Sequence, residues 1–107
     1  MKYKKERFSS AIQEAAGKYV SEKKFDGSMV TVTSVSVNKD LSKAIVGISV
    51  FPEEMGEVVS RKLNRGKGMF AKYVKSHTRI FHIPRFSFMI DEGEKHRQKI
   101  DDLSKNI

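Results

Sequence analysis

Apolar positions between Lys4 and Val20 recur at helical spacing. Phe8, Ala11, Ile12, Ala15, Ala16, Tyr19 and Val20 fall on one stripe, with Ser9, Ser10, Gln13, Glu14 and Lys18 on the other side. This predicts an amphipathic helix that ends at the turn-forming Phe25-Asp26-Gly27. From Met29 to Val37 the pattern changes to alternation rich in Val and Thr, which predicts a strand. Val30 and Val32 share one phase and Val35 and Val37 the other, so a bulge or a twist between two half-faces is expected at Thr33-Ser34. Asn38-Lys39-Asp40 reads as a hairpin connection. Ala44, Val46, Ile48 and Val50 then alternate on a second strand, with Gly47 on its other face. Phe51-Pro52-Glu53-Glu54 reads as a helix start, since Pro suits a first turn and carboxylates suit the positive end of the dipole.

Met55, Val58, Val59 and Leu63 form a further helical stripe. Gly66 and Gly68 interrupt it, and Met69, Phe70, Tyr73, Val74 and His77 resume the spacing. Phe86, Phe88 and Ile90 predict a third strand, bent or at a sheet edge where Pro84 removes a donor. Ile100, Leu103 and Ile107 give a weak terminal stripe, so residues 92–107 read as a tail with a short or frayed helix. The order is α-β-β-α-α-β, an α+β fold: a three-stranded sheet with helices on one face, in two layers. The helical stretch between strands two and three is long enough for a parallel crossover. With 107 residues, the chain reads as one domain over 1–107.

Charge changes the picture. No Asp or Glu occurs from Val58 to Ile90, a stretch that holds Arg61, Lys62, Arg65, Lys67, Lys72, Lys75, Arg79 and Arg85. Those eight equal the net charge of +8, because the other thirteen Lys and Arg match the thirteen Asp and Glu. A solvated basic face would serve solubility alone. Segregation around Arg65-Gly66-Lys67-Gly68 argues instead for a polyanion, with nucleic acid the leading class. At the glycine turn two readings coexist: backbone open to close approach by phosphate, and a left-handed helix cap.

Other chemistries find no support. The absence of cysteine removes disulfides and Cys-based metal sites. His77, His82 and His96 lack metal-motif spacing, and no metal or cofactor is expected. No phosphate-binding glycine motif, nucleophile elbow or carboxylate pair is present, so catalysis is not expected. No apolar run approaches the ~20 residues of a membrane span, so a cytoplasmic protein without a membrane partner is expected. Phe86 and Phe88, and Phe70 and Tyr73, sit at core spacing; Phe51 and Phe81 have no clear assignment.

Several segments together resemble the bacterial ribosome-binding factor A family. They are Glu6-Arg7-Phe8, the run from Val30 to Val35, the run from Val37 to Ala44 with its D-L-S-x-A turn, Leu63-Asn64-Arg65-Gly66-Lys67-Gly68, and the run from Ile83 to Asp91. The resemblance covers almost the whole chain and implies a KH-like fold of type II order. In such a fold the GxxG loop that clamps a nucleic-acid backbone in KH domains is replaced by a kink, usually Ala-x-Gly. The chain departs from that pattern at Gly66, at Phe70 where Arg is common, and at Asp26-Gly27 where Asp-Pro-Arg is typical.

The resemblance implies a noncatalytic ribosome biogenesis factor acting as a monomer, with no small-molecule substrate. It would bind the immature small (30S) subunit and assist late maturation of 16S rRNA, including the 5′ end region, especially in the cold. A stand-alone KH-type single-stranded RNA regulator or chaperone is the alternative; a ribosomal protein and an RNA-modifying enzyme are further rivals. The expected phosphate contacts are Arg61, Arg65, Lys67, Lys72 and Lys75, with close approach at Gly66 and Gly68. Arg79 and Arg85 would extend the field, and Lys4, Lys5 and Arg7 would form a second patch.

Overall fold

The structure, a computed structural model, describes residues 2–25 and 27–91. Its elements are α1 (Lys2–Glu22), β1 (Met29–Val37), β2 (Lys43–Phe51), a 3-10 turn (Glu53–Met55), α2 (Gly56–Arg65), α3 (Lys67–His77) and β3 (Arg85–Ile90). β1 and β2 form an antiparallel hairpin, and β3 pairs in parallel with β2, which lies in the centre of the sheet. The helical crossover between β2 and β3 provides the length that a parallel pairing requires. The terminal stripe of Ile100, Leu103 and Ile107 lies outside the described residues.

The alternating residues of β2 and β3 meet the helical stripes in one core. Ile12, Ala16, Val46, Ile48, Phe70 and Val74 are fully buried. Phe70 stands at the centre, its ring 5.0 Å from Tyr19, 4.6 Å from Phe86 and 5.3 Å from Phe88. Burying a Phe side chain contributes about 1.5–3 kcal/mol, which explains an aromatic residue there rather than a cation. The stripes are narrower than the spacing predicts. Val59 and Leu63 are buried, but Val58 and Met69 are exposed. The i, i+4 pairs Val59–Leu63 and Phe70–Val74 face the sheet, and neighbours about 100° away turn outward.

The sheet is shaped by a bulge in β1 and by the way β3 is held on both sides. The bulge falls where expected, with a register shift between Val32 and Ser34 opposite Gly47. A Cβ at Gly47 would collide with the Ser34 hydroxyl, so the bulge and the missing side chain depend on each other. Pro84 lies just ahead of β3, and parallel pairing starts where Arg85 N–H donates to Ser42 O at 2.9 Å. On the outer side of β3, Phe88 N–H donates to Asn64 Oδ1 at 2.8 Å, and Asn64 Nδ2 donates to Phe88 O at 3.0 Å. One amide side chain thus pairs that edge as a neighbouring strand would.

Candidate nucleic-acid interface

The junction between α2 and α3 is one residue long. Gly66 has φ −91° and ψ 14°, its N–H donates to Lys62 O at 3.2 Å, and its carbonyl accepts from Phe70 N–H at 3.0 Å. Hydrogen bonding therefore runs almost unbroken through a kink. Gly68 belongs to the first turn of α3, so only one of the two glycines interrupts the helices. Neither takes a left-handed cap, because Gly66 has a negative φ and, among the described residues, Gly27 is the glycine with a positive one. A Cβ at Gly66 would lie 3.6 Å from Tyr19 Oη, an ordinary contact, and nothing lies within 4 Å of one at Gly68. The kink thus holds its angle through packing on α1, and Gly68 leaves open space in front of the backbone.

Arg61, Lys62 and Arg65 on α2, and Lys67, Lys72 and Lys75 on α3, are all exposed. Lys72 and Lys75 project opposite the buried Phe70 and Val74, in line with Gly68. Arg61 differs from the others: its guanidinium lies 2.6 Å from Glu57 Oε1, one turn back. Glu57 sits just before the acid-free stretch, and an i, i+4 pair of this sort is readable from sequence. Among the described residues, the other seven cations of the stretch have no carboxylate within ion-pair distance.

The structure divides the remaining expected residues. Arg85 alternates with the core residue Phe86 and lies beside Lys43 on the helix-free face of the sheet, away from the α2–α3 cations. Arg79 follows α3 and meets Arg7 of α1 on the wall of one cavity, which links the field to the expected second patch. Lys4 and Lys5 belong to the first turn of α1, and Lys5 is exposed.

Among the described residues, no group of three or more His, Cys, Asp or Glu is placed to hold a metal ion. No described helix is long and apolar enough to cross a membrane. His77 is occupied locally: its ring stacks on Tyr73 at 3.9 Å, and its Nδ1 lies 3.0 Å from Tyr73 O.

An α-β-β-α-α-β chain with a β1-β2-β3 sheet, and a one-residue kink in place of a glycine loop, is a KH-like domain. The chain belongs to the ribosome-binding factor A family, whose model matches residues 4–104. Ribosome-binding factor A of Finegoldia magna is 31% identical over 106 residues, covering 94% of this chain and 88% of that protein. The crystal structure of ribosome-binding factor A from Thermus thermophilus superposes with a TM-score of 0.69 at 23% identity, over 78% of this chain and 91% of that one. A homology model of the Thermus thermophilus factor, fitted into a cryo-electron microscopy map of its 30S complex, gives 0.67 at 23% identity, over 76% and 88%. At these identities the two structural likenesses carry the fold.

Proposed function

We propose that the chain binds the immature small ribosomal subunit through the outward face of α2 and α3. There it assists late maturation of 16S rRNA, including the 5′ end region, without catalysing a reaction. It works as a cytoplasmic monomer and matters most in the cold. The observation that carries this reading is the exposed row of cations on both sides of the Gly66 kink, all but Arg61 without a carboxylate partner among the described residues, in a chain of this family. A cation row of this kind recognises phosphates by charge and spacing and releases counterions on binding.

The kink favours this reading over a free single-stranded RNA regulator. A KH glycine loop clamps about four nucleotides. One residue between two helices offers no such loop, so recognition rests on a pre-formed RNA surface.

Sedimentation with purified small subunits over a salt series tests the reading. If about four phosphates are neutralised, log affinity should fall against log salt with a slope of about −3 to −4. A flat response, or equal binding to short single-stranded oligonucleotides, would overturn it.

A further inference from the structure

The α2–α3 row does not account for a cavity of about 710 Å³ at the far end of α3 from the kink. Three segments distant in sequence build it: the second turn of α1, the β1–β2 turn, and the loop between α3 and β3. Phe8, Leu41, Ile80 and Phe81 give it apolar walls, and Arg7, Arg79 and His82 line it as well. Phe81 is 98% exposed, the highest value among the exposed large apolar side chains of the described residues.

Both loop walls are pinned. The Asn38 side chain accepts from Ser42 N–H and Lys43 N–H, each at 2.9 Å, and donates to Ser42 Oγ at 2.9 Å. This clamp holds Leu41 at φ 62°, the one positive φ at a non-glycine residue among the described residues. Glycine would take that conformation without strain but would supply no wall, and strain of this kind marks functional segments. On the other side, Thr78 Oγ1 donates to Val74 O at 2.6 Å and accepts from Ile80 N–H at 3.2 Å. An exposed Phe next to a segment tied by Thr78, and beside an arginine, has the composition of a base-stacking site, with the ring for the base and the guanidinium for its phosphate. Asp40 adds a negative charge on the turn side, where its Oδ1 accepts from Ser42 Oγ at 2.6 Å. The sugar–phosphate is thereby directed towards Arg79.

We propose that this cavity takes one unstacked nucleotide of the bound RNA, its base against Phe81 and its phosphate at Arg79. The proposal rests on the ribosomal reading for the source of the RNA, but the pocket can be tested without subunits. In an NMR titration with adenosine monophosphate, the amides of Leu41, Ile80, Phe81 and His82 should shift, and ribose 5-phosphate at equal concentration, with a phosphate but no base to stack, should shift them far less. Phe81→Ala should remove the response and Phe81→Tyr should keep it. Equal shifts with both compounds, or shifts confined to α2 and α3, would overturn the pocket and leave charge alone.

In subunit sedimentation, Phe81→Ala should weaken binding about tenfold with an unchanged salt slope, since a stacked base and not a phosphate contact is lost. The exposure of Phe81 makes an unaltered melting temperature the folding control. Unchanged affinity would overturn the pocket while the helix interface stands. If the wild type fails to bind subunits, the ribosomal reading falls, and the adenosine monophosphate titration alone then decides the pocket.

Discussion

The two tight connections of this domain are held in opposite ways. The β1–β2 turn is determined from within: Asn38, 5% exposed, bonds two backbone N–H groups four and five residues on and forces Leu41 into a left-handed conformation. The α2–α3 junction is determined from outside. Gly66 has a backbone any residue can adopt, and the angle is held by Tyr19 on α1 and by the Asn64 bonds to β3. A turn closed by its own side chains uses its polar groups for folding. A junction braced from behind leaves its outer side free, and there the cations stand. Packing thus falls to the inner face of the two helices, and the exposed positive charge to the outer face.

Asn38→Ala should have the largest effect. It leaves the Ser42 and Lys43 N–H groups without their acceptor, removes the donor to Ser42 Oγ and frees a strained turn, so a loss of about 2–4 kcal/mol is expected in urea unfolding. Asn64→Ala should cost less, about 1–3 kcal/mol, because the outer edge of β3 regains water. That variant also loosens the brace of the junction and should lower the salt slope of subunit binding; Asn38→Ala, where it folds, releases the Leu41 wall but should keep the salt slope that α2 and α3 set. If both variants destabilise equally and neither alters binding, the division between the two connections is wrong.

Gly66→Ala should reverse the sign. Its Cβ meets only ordinary contacts, so reduced freedom of the unfolded chain should stabilise the domain by about 0.4–1 kcal/mol, read as a raised melting temperature with binding retained. Destabilisation would mean that the kink needs glycine after all. Glu57→Gln should have the smallest effect. Losing an exposed i, i+4 pair costs within about 0.5 kcal/mol, while Arg61 becomes available to RNA and subunit affinity rises slightly. Weaker binding after this change would show that the ion pair positions Arg61 rather than neutralising it.

Much of the fold was legible because it depends on local periodicity. The alternation from Met29 to Val37 marks the ends of β1, and the phase switch at Thr33-Ser34 marks the bulge. Gly68 misled because two glycines with a lysine between them resemble a loop, whereas a helix already braced by α1 and β3 absorbs the second glycine in its first turn. Val58 and Met69 misled because spacing alone does not set the width of the buried stripe. At the site, the basic stretch was readable as composition but not as geometry. Arg85 shares that stretch yet lies in the other layer, because a strand sends alternate side chains to opposite faces. Asn64 contacts a strand 24 residues away, and the Phe81 cavity joins three separate segments, so neither leaves a signal in any single window of sequence.

The most direct test reverses charge at the junction. Arg65→Glu with Lys67→Glu alters net charge by four, from two to minus two at those positions, and both side chains are exposed. Lys24→Glu with Lys43→Glu makes the same change away from the helix pair; Lys23 is less suitable, since its ammonium stands 5.0 Å from the Tyr19 ring that borders Gly66. Subunit sedimentation at physiological salt, with circular dichroism as the folding control, should find binding abolished in the first variant and largely kept in the second. Equal loss in both, with both folded, would contradict a located interface at the α2–α3 junction.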